Sequence, residues 1–207
     1  DITTLATFPD GFFKEEIIAG LVELANSGRE VTVRILAGWP INLLSGQNQR
    51  EFLTDIIEPL RTISGGKLKI YVGAERRNPF SWNHSKMVAI DGNKAMLGGE
   101  NFYAADYLGD APVHDLNLFL EGPYVYYMHQ FADKIWESVC QYSSKRWKSV
   151  YWESNAQIIT EACLSNVDLT CGPSIGDLSI LGTGRFAGLV NENDPYIENP
   201  ADAAMLL

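Results

Sequence analysis

The residues best suited to chemistry lie in one stretch, FSWNHSKMVAIDGNKAMLGGENF, running from Phe80 to Phe102. His84 and Lys86 stand two apart, Asp91 opens an Asp-Gly-Asn corner, and Asn101 follows the Gly98-Gly99 pair. On an extended chain side chains two apart point to the same side, so His84 and Lys86 are expected to face one space. An imidazole beside a fixed ammonium suits attack on a phosphate ester. The cation neutralises the charge that repels a nucleophile and then stabilises the pentavalent transition state. Glycines at 98 and 99 let backbone approach an anion, and the Asn101 amide can donate to a phosphate oxygen. The Asp91 carboxylate suits a structural role, holding backbone N–H groups at the corner. Each feature also has a plainer reading: a lone strand histidine is usually structural, H-x-K arises by chance, and Gly-Gly is a common turn. The ordered set H-x-K-x4-D-x6-G-G-x-N is much harder to reach by accident.

Elements that would position this set can be read from the hydrophobic pattern. DITTLAT (1–7) is a β-branched strand closed by FPDG, and Phe12, Phe13, Ile17, Ile18, Leu21, Val22 and Leu24 follow at helical spacing, with Gly28 suited to the C-terminal cap. VTVRILAG (31–38) and KLKIYVGA (67–74) are strands, separated by an amphipathic helix over 47–64 that Pro59 kinks or breaks. This alternation predicts parallel pairing with helices on the faces. HSKMVAI and KAMLGG then form two strands joined by the tight turn Asp-Gly-Asn, DLNLFLEG (115–122) is a further strand, and YVYYMHQFADKIWESVCQYS (124–143) is a helix. The expected fold class is α/β, a mixed and mainly parallel sheet with helices on both faces. Residues 1–152 make the catalytic unit; 153–207, rich in Gly, Asn, Asp, Pro and Ser, make an irregular linker or cap. NPADAAMLL at the end reads as a helix start too short to bury much, which implies a continuing chain. Asp at position 1, already opening a strand, likewise reads as a mature product or a cut piece.

Bulk properties narrow the function classes. With 207 residues and 46% hydrophobic composition, the chain can bury a full core. No run of about 18 apolar residues and no basic-then-apolar leader occurs. The net charge of −10 comes from 26 acids against 16 bases, with only ERR (75–77) and SKRWK (144–148) as basic clusters. A nucleic-acid partner is therefore not expected, because a phosphate backbone calls for a clustered basic surface. Cys140, Cys163 and Cys171 lack C-x-x-C spacing, so no metal site is expected from them. On count alone they allow one disulfide with a leftover thiol, or three free thiols.

The motif resembles the signature of the phospholipase D superfamily, and the resemblance extends beyond it. DITTLATFPDGFFKEEIIAGLVELANSGREVTVRILAG is similar to the first strand–helix–strand of secreted, Streptomyces-type bacterial phospholipases D. FSWNHSK and GGEN are similar to their first active-site motif, PVHDLNLFLEGP to the next strand, and WESVCQ to a helix end carrying a cysteine. The likeness covers roughly residues 1–142. It implies that His84 is the nucleophile, forming a phosphohistidine, and that Lys86 and Asn101 grip the phosphate oxygens beside Gly98 and Gly99. It implies that Asp115 hydrogen-bonds the far nitrogen of His84. The family usually has Ser where Gly99 stands, although its secreted bacterial branch resembles this chain in using Gly. His114 should point away along the strand, and His129 reads as a core or surface histidine.

The resemblance also exposes a gap, since the family's chemistry uses two histidines from two motif copies and this chain has one H-x-K. The expected partner is a second half, carried by a missing segment or a separate chain, or else a second copy of this chain. The expected substrate is a phosphatidylcholine-like diester at a membrane surface, cleaved to phosphatidic acid or transferred to alcohols. Trp82 and Phe80 would line a head-group or interface site, or simply pack the strand edge. The alternatives are a homodimeric nuclease on the same scaffold and a non-catalytic half-module. No cofactor or metal is expected, because Lys86 and Asn101 do the work that a cation would do. By the same likeness Cys140 occupies a disulfide position, with Cys163 the nearest partner and Cys171 the alternative, while the eight-residue spacing also leaves a local Cys163–Cys171 loop open. A secreted or periplasmic location follows.

Overall fold

The computed structural model describes residues 1–4, 7–38, 47–78, 81–142, 149–156 and 158–164. Phe80, Cys171 and the NPADAAMLL segment lie outside them.

β1 (Ile2–Thr4), α1 (Gly11–Asn26), β2 (Glu30–Ala37), α2 (Gln49–Ile57) and β3 (Lys67–Ala74) form the alternating half that the hydrophobic pattern predicts. Gly28, with φ of 67°, reverses the chain after α1 into β2. Asn48 starts α2 through a reciprocal capping box with Glu51, and at Pro59 the α-helix gives way to a 3-10 turn over Glu58–Thr62. β1, β2 and β3 pair in parallel, side by side.

After β3 the pairing changes. A two-stranded ribbon of β4 (Arg76–Asn78) and β5 (Ser81–Trp82) leads to β6 (Met87–Ile90) and β7 (Lys94–Gly98). These are followed by the single turn α3 (Ala104–Tyr107), β8 (Asn117–Glu121), α4 (Val125–Tyr142), β9 (Val150–Glu153) and β10 (Thr160–Glu161). The main sheet runs β10-β9-β3-β2-β1-β6-β7-β8. All its pairings outside β1, β2 and β3 are antiparallel. The sheet is mixed, as expected, but its parallel share is smaller than the sequence pattern implied. The reason is in the connections: the Asp91-Gly92-Asn93 corner, pairing Ile90 with Lys94, is too short for a crossover and enforces an antiparallel neighbour.

Helices cover both faces. Leu21, Ala25, Phe52, Leu53, Ile56 and Ile57 of α1 and α2 bury against Ile35, Ala37, Leu68, Ile70 and Val72. On the other face Ile135, Trp136 and Val139 of α4 pack on Leu36, and Met128 and Ala132 on Met87, Ala89 and Ala95. β2 is thus covered on both faces at its carboxyl end, where Ile35, Leu36 and Ala37 are consecutive, apolar and fully buried. Gly73 lies flush under α4: a Cβ there would meet the Trp136 ring at 2.7 Å. Across the expected boundary at 152, β9 and β10 extend the sheet beyond β3, and the Cys140–Cys163 disulfide ties residue 163 to α4. Of the expected cysteine pairings, this is the one present. At the far end β8 is the edge strand among the described residues, with Leu118 and Phe119 exposed.

Candidate active site

His84 and Lys86 do not lie on a regular strand, as their spacing had suggested, but in the irregular segment just ahead of β6. They nevertheless share one space, and the residues between and before them explain why. Asn83 is buried, its amide donating to Thr4 O (2.9 Å) and Ser85 O (3.2 Å) while its Oδ1 accepts from the Ser85 N–H (3.2 Å). Ser85 Oγ lies 2.6 Å from Asn83 Oδ1 and 3.0 Å from Thr3 Oγ1. Asn83 and Ser85 therefore anchor the segment inward on β1, and His84 and Lys86 are left facing outward. The site sits beyond the carboxyl end of β1, the usual place for ligands on a sheet with parallel strands.

Lys86 Nζ lies 3.0 Å from His84 Nδ1 and donates to His84 O at 2.8 Å. An ammonium has only protons to offer, so Nδ1 is the acceptor and the neutral ring carries its proton on Nε2. Partial burial, then the Lys86 charge, push the His84 pKa down. The imidazole is therefore neutral near pH 7, as a nucleophile must be. Burial also pushes the Lys86 pKa down, with the Asp115 charge working against it.

Asp115 was expected within a strand and bonded to His84. It lies instead in the lead-in to β8, which starts at Asn117, and no hydrogen bond joins it to His84 among the described residues. Its Oδ2 accepts from the Tyr107 hydroxyl at 2.6 Å. The glycine pair accounts for its approach. A Cβ on Gly99 would fall 2.0 Å from Asp115 Oδ1, and one on Gly98 2.1 Å from Asn117 Oδ1 and 2.3 Å from Leu116 O. Gly98 and Gly99 thus make room for residues 115–117. In this arrangement the serine that the wider family carries at 99 would collide with Asp115.

Asn101 is held by its backbone: its C=O accepts from Thr4 Oγ1 (2.7 Å) and its N–H donates to the Tyr107 hydroxyl (3.2 Å). Its side-chain Oδ1 is buried and has no hydrogen-bond partner among the described residues. Asp91 adopts a positive φ of 49° at the hairpin corner, and its carboxylate lies 3.7 Å from Arg29, with no hydrogen bond to a backbone N–H among the described residues. Trp82 is half-buried on β5, opposite Arg76, two residues ahead of His84. His114 is exposed, whereas His129 is buried against Asp1 far along the sheet. Asn83, Ser85 and Tyr107 escaped the sequence reading. Asn83 and Ser85 flank the H-x-K residues in alternation, which was a usable signal; nothing local marks Tyr107.

Among the described residues no group of three or more His, Cys, Asp or Glu is placed to hold a metal ion, and no helix is long and apolar enough to cross a membrane. No family model matches the chain. It is 28% identical to the phospholipase D of Streptomyces antibioticus, over 94% of this chain and 36% of that enzyme. This likeness supports a phospholipase D superfamily member. It spans little more than a third of the length of that relative. Among solved structures, NucT from Helicobacter pylori is 15% identical with a TM-score of 0.41, covering 66% of this chain and 79% of that one. Nuc from Salmonella typhimurium, a phospholipase D family member, is 16% identical with a TM-score of 0.39, covering 66% and 76%.

Proposed function

We propose that the chain supplies one half-site of a phospholipase D-type phosphodiesterase acting on phosphatidylcholine-like lipids. The observation that carries this reading is the outward-facing His84–Lys86 pair, 3.0 Å apart, on a segment anchored from beneath by Asn83 and Ser85. An incoming phosphate competes for Lys86, and once Nζ turns to a phosphate oxygen the Nδ1 of His84 is free to take the proton. The lone pair on Nε2 then attacks phosphorus. A P–N bond forms as the P–O bond to the head-group alcohol breaks, and the departing oxygen takes a proton from an acid across the site. Water or an acceptor alcohol, losing its proton to that same group, then breaks the P–N bond and restores His84. Lys86 and the Asn101 amide stabilise the charge on the equatorial oxygens.

The group across the site is assigned to a second half with its own H-x-K. Need for such a partner is supported by the site's single outward imidazole and by the exposed Leu116, Leu118 and Phe119 along the sheet edge beside Asp115. A phospholipase rather than a nuclease is favoured by the net charge of −10. The Cys140–Cys163 disulfide supports a secreted or periplasmic setting.

The test is turnover of phosphatidylcholine vesicles and of single-stranded DNA, by the chain alone and mixed with a second-half polypeptide. Lipid turnover that disappears in His84→Ala and survives a chelator is the expected result. Lipid turnover that persists in His84→Ala would sink the nucleophile, and DNA cleavage without lipid turnover would favour the nuclease.

A further inference from the structure

We propose that Tyr107 is a positioning residue of this site, its hydroxyl tying the Asp115 carboxylate to the backbone of Asn101. The role in turnover rests on the phosphodiesterase reading; the tie itself rests on geometry alone. The hydroxyl donates its single proton to Asp115 Oδ2 at 2.6 Å and accepts from the Asn101 N–H at 3.2 Å. Gly99 O, at 3.4 Å, is a distant competitor for the same proton. Two residues on separate segments, one after β7 and one ahead of β8, are thereby held by one oxygen.

The ring has little freedom to move. It stands edge-on to Phe13 of α1, with centroids 6.4 Å apart and planes at 90°. α3 itself is pinned to the start of α1: Asp10 Oδ1 accepts from the Ala104 N–H at 2.7 Å, and the Asp10 N–H donates to Phe102 O at 3.2 Å. Gly11, at φ 46°, allows this approach, since a Cβ there would fall 2.6 Å from Ala104 Cβ. Asp115 is exposed, and a free carboxylate there would sample several rotamers. The Tyr107 hydroxyl holds Oδ2, while the missing Cβ of Gly99 leaves the space that Oδ1 occupies.

Electrostatics agree with this geometry. Burial, the hydrogen bond to Asp115 and the charges of Asp115 and Asp106 push the phenol up to about 12, with the Asn101 N–H opposing. It therefore stays a donor across the working range. The charged and titratable groups acting on Lys86 are His84, through its ring contact, and Asp115, whose charge supports the ammonium against desolvation. Tyr107 thus acts on the phosphate-gripping lysine through Asp115 and touches no reacting atom.

The experiment is a cycle of Tyr107→Phe, Asp115→Asn and the double variant, with His84→Ala as a control for turnover. Three readouts are taken: the Lys86 ammonium titration by NMR, binding of inorganic phosphate, and phosphatidylcholine turnover where an active assembly exists. Tyr107→Phe should lower the Lys86 pKa further and weaken phosphate binding about tenfold, the scale of one charge-assisted hydrogen bond. In the Asp115→Asn background the same change should add nothing. An unchanged Lys86 titration, or an effect of Tyr107→Phe undiminished in Asp115→Asn, overturns the proposal. Should Tyr107→Phe not fold, Asp115→Asn alone decides: it should lower the Tyr107 phenol pKa, and an unmoved phenol counts against the tie. If wild type neither binds phosphate nor turns over lipid, the functional reading fails while the titrations still test Tyr107.

Discussion

Two clusters in this molecule combine imidazole, cation and carboxylate, and their surroundings separate them. His84, Lys86 and Asp115 lie beyond the carboxyl end of β1; His129, Arg34 and Asp1 lie within the fold toward its amino end. Both imidazoles are pushed toward the neutral form, chiefly by burial. In the inner cluster the charged groups are paired with one another. Arg34, 1% exposed, donates to both Asp1 oxygens (2.6 and 2.9 Å) and to Asp133 (2.6 Å). His129 Nε2 accepts from the Gly92 N–H at 3.1 Å, and its Nδ1 meets Asp1 Oδ2 at 2.5 Å, so the tautomer is fixed with the proton on Nδ1. Among the described residues Lys86 of the outer cluster has no carboxylate within salt-bridge distance, and the side-chain partner of the His84 ring is the ammonium itself. The same residue types make structure where their bonds are complete and a candidate site where they are not.

The sharpest way to break this contrast is to delete each imidazole. If His84 is the nucleophile as proposed, His84→Ala should cut turnover roughly 10³-fold or more while leaving the thermal midpoint nearly unchanged, because an exposed side chain contributes little packing. His129→Ala should do the reverse, with unfolding eased and specific activity of the folded fraction preserved. Denaturant titrations run beside initial rates would read both, and equal loss of activity in the two variants would erase the distinction.

Next in size is the inner cation. Arg34→Met removes the charge that neutralises Asp1 and Asp133 and leaves two carboxylates without their counter-charge, which should cost about 3–5 kcal/mol in urea unfolding. By comparison Lys86→Met should cost little stability and most of the phosphate affinity. A stable Arg34→Met protein would mean that the inner cluster is not the structural element described.

Acid should also separate the clusters. The His129 pKa is pushed from 6.5 down to about 4, by burial first and then by the chain's amino group and Arg34, against Asp133 and Asp91. Between those values the unfolded chain takes up a proton that the folded one does not. Stability is therefore full above about pH 6.5 and falls as pH drops toward 4, by about 3 kcal/mol at most. Thermal midpoints of His129→Gln should be flatter through that window. At His84 the same direction of shift shows in rate: activity should hold below the ordinary histidine range before its acid limb appears.

Much of this architecture could be read in advance because it rests on local signals. Hydrophobic spacing marked α1, β2, β3 and α4, the Asp-Gly-Asn corner set the β6–β7 register, and Pro59 ended α2. What escaped depends on contacts across the chain. β9 and β10 are short strands that exist because the edge of β3 is available, and the antiparallel share of the sheet follows from those pairings. His84 and Lys86 were legible as a motif, but the reason they face outward is Asn83 reaching Thr4, 79 positions away. Tyr107 could not be read as part of the site, because its link to Asp115 exists only once α1 has fixed α3.

The smallest expected effect tests how tightly the outer cluster is fitted. Gly99→Ser brings a hydroxyl that could reach a phosphate oxygen, together with a Cβ that must lie near Asp115 Oδ1, 2.0 Å away in the present arrangement. These act in opposite directions. The added contact is worth about one hydrogen bond, whereas the collision displaces a carboxylate by more than an ångström and frees it from Tyr107. The collision should win, with phosphate affinity falling about tenfold, the scale of one charge-assisted hydrogen bond lost. In an Asp115→Ala background the collision is absent, and the serine should then be neutral or favourable. A gain from Gly99→Ser in the otherwise unaltered chain would mean that Asp115 yields without cost and that the fit between residues 99 and 115 does not hold the site.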